Sequence, residues 1–169
     1  MNDRPARKGG VDAPGTTRTT DLAAFRAQAS PKAQRFYDYW DGLRQGRRMP
    51  SRTDIDPIEM REWLSQISLV DVHRDPFALV YRLVGSVHVT ARGYDPTGRT
   101  VDQAYFGRNR EPVLQNYRDV VETRHLVYNW EGSASRESLL RESEALFLPL
   151  SSDGETVDVV LVLALFERI

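Results

Sequence analysis

The chain contains no cysteine, and it has no apolar run long enough to cross a membrane as a helix. The missing cysteines exclude disulfide bonds, thiolate zinc sites, iron–sulfur ligation and cysteine nucleophiles. The longest apolar run covers residues 159–166 only, whereas a spanning helix needs about 20 residues. We therefore expect a cytoplasmic protein that has no membrane partner.

Net charge is nearly absent too, at −1, although the two parts of the chain differ. Basic side chains exceed acidic ones over residues 1–50, and acidic ones exceed basic ones over residues 51–169. The overall balance argues against a nucleic-acid partner. Residues 1–30 are polar and rich in Thr and Pro, which predicts a disordered leader. The length of residues 31–169 is typical of a single domain.

Two helices are predicted near the start of that domain. The first covers residues 31–45, with Ser30 as its N-cap, and carries Phe36, Trp40 and Leu43 on one apolar face. That face either packs on the chain's own sheet or forms an interface with a second copy or a partner protein. The second helix covers residues 56–66, because Asp56, Pro57 and Glu59 form a capping signal.

The period of the apolar residues then changes from helical to alternating, which predicts strands. A β-hairpin is followed by a region broken up by glycine and proline, a long helix and three more strands. This order predicts an α+β fold with a five-stranded antiparallel sheet, helices packed on one face and an N-terminal amphipathic helix. The continuously apolar last strand is expected at the centre of the sheet. The predicted elements are strands 68–72 and 79–84, short helical turns in 86–107, helix 109–123, strand 125–130, a charged loop 131–141, and strands 144–150 and 156–166.

This order of elements resembles that of a PAS domain, and more narrowly the single-domain PAS-like family found widely in alphaproteobacteria. The similarity covers about residues 32–167. Each motif is mainly a marker of the fold. The residues that carry the resemblance are Trp40, the segments 50–57 and 67–72, the Tyr-Arg-Leu-Val-Gly segment 81–85, the Gly-Tyr-Asp-Pro-Thr-Gly-Arg segment 93–99, and the segment 148–154.

The resemblance implies a sensory or signalling domain that binds a small molecule, a protein partner or both, and that has no common catalytic set. Because Ile169 follows the last predicted strand directly, we expect a stand-alone domain whose output is binding in trans, as a homodimer or with a signalling partner. The alternatives are an interaction adaptor without a ligand and a small enzyme that uses the PAS-like pocket.

Catalysis and cofactors find little support in the sequence. The three histidines lie far apart, and no metal-ligand spacing, phosphate-binding loop or nucleophile elbow is present. Haem-binding PAS sensors carry the axial histidine in the long helix, but helix 109–123 has none, and His125 falls just past its end. A cysteinyl flavin is excluded because there is no cysteine. We therefore predict no cofactor, no metal and no enzyme activity.

A PAS-like pocket would lie between the sheet and the helical middle of the domain. Five polar side chains are candidates for that pocket, and each has a structural alternative. Arg82 suits a carboxylate or phosphate, or else an ion pair with an acid such as Asp95 or Asp102. Tyr117 stands at helical core spacing, which equally favours packing. The candidate ligand-binding residues are Arg82, His88, Tyr94, Tyr117 and Tyr128.

Overall fold

The architecture was established from a computed structural model, which describes residues 17–107, 109–130 and 139–169. Six strands in the described residues form one antiparallel sheet in the order β1-β4-β5-β6-β2-β3. No helix in these ranges is long and apolar enough to cross a membrane. The strands are β1 (Thr17–Thr19), β2 (Ile67–His73), β3 (Ala78–Val84), β4 (Val127–Trp130), β5 (Leu140–Leu150) and β6 (Val159–Arg168).

The α+β class is confirmed, and β6 lies inside the sheet between β5 and β2, as its apolar run predicted. The predicted number of five strands is wrong, because β1 adds a sixth at the edge beside β4. This short strand lacks the alternation of apolar residues that marks a longer one, so its sequence gave no signal. The predicted charged loop lies largely outside the described residues.

Part of the predicted leader is folded. Helix α1 (Leu22–Gln28) begins at Asp21, whose side chain accepts a hydrogen bond from the Ala24 backbone, and it buries Phe25 completely. Helix α2 (Pro31–Arg44) begins at the predicted cap Ser30. The prediction of a disordered leader is therefore wrong for residues 17–30, because one aromatic side chain anchors this polar segment to the core.

Helices cover both faces of the sheet. Helices α1 and α2 pack on one face, which we call the α2 face, around Trp40, Tyr128 and Leu161. The opposite face, the α5 face, is covered by three helices and centres on Tyr81, Tyr117 and Val160. The sequence predicts helices packed on one face of the sheet, in addition to an N-terminal helix. In the structure that N-terminal helix, α2, covers the other face together with α1. The helices on the α5 face are α3 (Ser86–Arg92), α4 (Val101–Ala104) and α5 (Arg110–Thr123).

The predicted helix over residues 56–66 is wrong. Asp56 does cap a turn, accepting a hydrogen bond from the Ile58 backbone at 2.8 Å, but residues 57–63 form successive turns that end in a 3₁₀ helix, Leu64–Gln66. Met60 and Trp63 are nevertheless buried against the α2 face. The local cap starts the segment, and the packing of these two side chains then decides its path.

Candidate functional site on the α5 face

Arg92 is the central polar residue of the α5 face. It lies in the last turn of α3, and its guanidinium donates to the Ala104 carbonyl oxygen through Nη1 and to the Tyr81 hydroxyl through Nη2, the latter at 2.9 Å. The guanidinium also lies over the rings of Tyr81 and Phe106, at 5.0 and 5.6 Å. Its Nε is buried and has no hydrogen-bond acceptor among the described residues. One donor of a cationic side chain is therefore unused in the interior.

Two tyrosines lie beside this guanidinium. Tyr81 comes from β3 and Tyr117 from α5, both are almost fully buried, and each phenol influences the pKa of the other. Burial raises the pKa of both phenols, although the positive charge of Arg92 opposes the rise. Both hydroxyls therefore stay protonated at neutral pH and act as neutral hydrogen-bonding groups.

Glu142 reaches the same face because β5 contains a bulge. Glu142 lies opposite Phe166 and Glu144 lies opposite Leu165, so Ser143 has no residue opposite it on β6. The extra residue turns Glu142 toward the α5 face while Glu144 stays on the α2 face. Burial raises the pKa of Glu142 to about 7, against the opposing charge of Arg92. This carboxyl is consequently near half-protonation at neutral pH.

His88 closes one side of the group. Its side chain is buried, its Nε2 donates to the Gln66 carbonyl oxygen at 2.9 Å, and its ring meets Phe166 edge-on at 5.1 Å. Burial lowers the pKa of His88 to about 4, so the imidazole is neutral at physiological pH. We call the five residues Tyr81, His88, Arg92, Tyr117 and Glu142 the α5-face cluster.

The structure brings only two of the five predicted pocket residues, His88 and Tyr117, into this cluster. Arg82 is exposed and pairs with Asp71 at 2.7 Å, not with Asp95 or Asp102. Tyr94 is exposed, with the Arg99 guanidinium over its ring.

Tyr128 lies on the α2 face. Its ring meets Phe25 edge-on, and its hydroxyl donates to Glu144 at 2.7 Å. It is thus part of the packing beneath α1.

Three members of the cluster were missed by sequence reasoning. Tyr81 lies in the predicted strand 79–84, and the alternating pattern indicates a strand position but no role in a binding site. Arg92 stands in the glycine-rich middle of the chain, where no periodic pattern exists. Glu142 falls between the predicted loop 131–141 and the predicted strand 144–150. The pattern of apolar residues gives no sign of the bulge that extends the strand and turns this side chain inward.

The predicted interface residues and His125 lie elsewhere. Phe36 and Trp40 are buried on the chain's own sheet, and the Trp40 indole donates to the Pro149 carbonyl oxygen at 3.0 Å; Leu43 is half-buried. His125 is exposed beyond the end of α5. Within the described ranges, no group of three His, Asp or Glu side chains is arranged to hold a metal ion.

Comparison with known families agrees with this architecture. The model of the PAS domain family matches residues 28–164, from the end of α1 into β6. No curated protein matches the chain.

Proposed function

The chain belongs to the PAS domain family, and from this premise we propose that it is a sensory domain that binds a small molecule at the α5-face cluster without chemical turnover. The observation that carries the proposal is the unused Nε of Arg92. A buried donor without an acceptor costs about 1–3 kcal/mol. A ligand oxygen at this position removes that cost, which gives binding a local driving force.

The other cluster residues suit recognition of a polar ligand. Two neutral phenols and a carboxyl that is near half-protonation can each donate or accept a hydrogen bond. The aromatic rings of Phe106 and Phe166, edge to face at 5.5 Å, supply apolar surface beside them. Ligand sites in proteins commonly combine a few polar groups with such an apolar lining.

Binding is favoured over catalysis by the protonation of these groups. A general base works best with a pKa near the operating pH and a free lone pair facing the substrate. Burial lowers the pKa of His88 to about 4, and Gln66 holds its Nε2. The two phenols keep their protons because their pKa values are raised. Within the cluster, Glu142 alone has a pKa near neutral pH, and none of the other four described members of the cluster is an activated nucleophile.

Native mass spectrometry of freshly purified protein tests the proposal. We expect a small molecule bound to the wild-type chain, with its occupancy lowered about tenfold by Arg92→Gln and reduced by Tyr117→Phe, which removes only one hydroxyl. The control is Arg99→Gln, at an exposed arginine outside the cluster, and should retain the ligand. Unliganded wild-type protein, or equal occupancy in all variants, would contradict the proposal.

A haem or flavin is not part of this proposal. Haem would require an axial ligand, and His125 is exposed beyond the long helix. We expect the purified protein to lack Soret and flavin absorption bands. A Soret band that disappears in His125→Ala would overturn this assignment.

We also propose a homodimer, as expected from the sequence, although the aromatic face of α2 no longer supports it. Phe36 and Trp40 are occupied by the chain's own sheet, so a second copy needs a different surface. Light scattering of the full chain measures the oligomeric state directly. A monomer at high protein concentration would contradict the proposal of a homodimer.

A further inference from the structure

A polar groove of about 310 Å³ lies outside the α5-face cluster and shares no residue with it. It is lined by the segment 51–53, by Asp71 and Arg82 of the β2–β3 hairpin, and by Ser152 and Asp158 from the connection between β5 and β6. Val159, which belongs to the α2-face core, forms part of its floor. Three separate parts of the chain thus meet at one concave surface.

The first wall is held in place by its own hydrogen bonds. The Ser51 backbone N–H donates to Asp54 at 2.8 Å, and the Ser51 hydroxyl accepts from the Thr53 backbone at 3.3 Å, which together form a capping box. Asp54 also pairs with Arg47 at 2.7 Å. The wall therefore has a defined shape, although its side chains face solvent.

The second wall is equally constrained and is joined to the first. The Ser152 backbone and hydroxyl both donate to Asp158, at 2.8 and 2.5 Å. The Ser151 backbone donates to the Pro50 carbonyl oxygen at 2.9 Å, which ties the two walls together. A groove between two hydrogen-bonded walls is preorganised, so a ligand would lose little binding free energy to ordering it.

Two arginines supply unused hydrogen-bond donors in the groove. The Arg52 guanidinium has no hydrogen bond or ion pair within the described part of the chain. Arg82 bonds Asp71 through Nε at 2.7 Å, and neither of its Nη groups has an acceptor among the residues that the structure describes. Asp71 accepts from Arg82 through Oδ1, and Asp158 accepts from Ser152 through Oδ2, so both carboxylates are held by neighbouring donors. The unused N–H groups of the two arginines suit a ligand that brings acceptors.

We propose that this groove binds a small molecule carrying a phosphate or carboxylate group, held between Arg52 and Arg82. A guanidinium presents parallel N–H groups that match the oxygens of such an anion. The carboxylates of Asp71 and Asp158 offset the two positive charges. Selection therefore rests on hydrogen-bond direction rather than on long-range attraction, and moderate salt should weaken binding little.

The probes are inorganic pyrophosphate and succinate, titrated into the isotope-labelled full chain at physiological ionic strength and followed by amide NMR. Saturable shifts at residues 51–53 and at Ser152 are expected with at least one of them, and the stronger binder identifies phosphate or carboxylate as the preferred group. Arg52→Gln and Arg82→Gln should each raise Kd about tenfold.

The matched control is Arg61→Gln. Arg61 is an exposed arginine in the turns before β2, and it too has no ion-pair partner in the described ranges. Its replacement should leave Kd unchanged. Equal weakening in all three variants would mean non-specific charge attraction and would overturn the proposal, as would the absence of saturation with both probes. Because the groove and the α5-face cluster share no residue, either result is independent of ligand binding at the cluster.

Discussion

Glu142 and Glu144 are chemically identical, lie two residues apart on one strand and face opposite sides of the sheet. Glu144, on the α2 face, accepts hydrogen bonds from the Ser30 backbone at 2.8 Å and from the Tyr128 hydroxyl at 2.7 Å. Glu142, on the α5 face, has no hydrogen-bond partner among the described residues, and burial raises its pKa to about 7.

The two glutamates differ in whether the protein itself supplies hydrogen-bond donors to the carboxylate. Glu144 fixes the start of α2 to the sheet, so its charge is already used within the protein. Glu142 lies near Arg92 without forming an ion pair. The carboxyl group of Glu142 and the Nε of Arg92 therefore both keep hydrogen-bonding capacity that the described residues do not use. We call the α2 face the supporting face; the α5 face carries the groups at which we propose that a ligand binds.

The largest expected effect tests the supporting face. Trp40→Ala removes a buried ring and the indole hydrogen bond to Pro149, and should lower the free energy of unfolding by about 3–5 kcal/mol. Chemical denaturation measures this loss. Phe77→Ala is the control, because that ring is 49% exposed and its loss should cost less than about 1 kcal/mol. If Trp40→Ala instead left the free energy of unfolding unchanged and lowered the oligomeric mass, Trp40 would be an interface residue and not a core residue.

A smaller effect compares the two glutamates directly. Glu144→Ala leaves the Ser30 N–H and the Tyr128 hydroxyl without their acceptor, and should lower the free energy of unfolding by about 2 kcal/mol. Glu142→Ala, the same truncation on the other face, should cost clearly less because no hydrogen bond is lost. Equal losses in the two variants, measured by denaturation at pH 7, would remove the distinction between the faces.

A third effect depends on pH. The pKa of Glu142 is raised from 4.5 to about 7 on folding, so the folded chain binds the proton more tightly than the unfolded chain. The stability of the wild type should therefore fall as pH rises from about 4.5 to about 7. Glu142→Gln abolishes this contribution and should be more stable than the wild type by about 3 kcal/mol at pH 8, with little advantage at pH 4. A wild-type-to-variant difference that is the same at both pH values would refute the pKa shift.

Much of the architecture was predictable because it follows from regular patterns. The cap at Ser30, the apolar period of α2 and the long apolar run of β6 each predicted an element that the structure contains. Segment 56–66 was mispredicted because a good local cap does not ensure that a helix continues when Met60 and Trp63 must reach the core. Phe25 alone was too weak a signal to predict α1.

The candidate site was less predictable, and β-bulges explain part of the reason. Arg82 stands where the pairing passes from Val70–Tyr81 to Leu69–Leu83, so it has no residue opposite it on β2. Ser143 of β5 likewise has no residue opposite it on β6. Alternation assigns side chains to faces only while the register is regular. The bulge in β5 therefore turns Glu142 to a face that regular alternation would not assign to it.

The position of β6 has a consequence for how the protein is made. This strand follows every other described strand in the chain, yet it lies between β5 and β2 and joins the two parts of the sheet. During synthesis the β2–β3 hairpin and the β4–β5 pair can form separately, but they cannot unite until β6 has left the ribosome. Nascent chains that stall before Val159 will expose two apolar strand edges, which makes them substrates for chaperones.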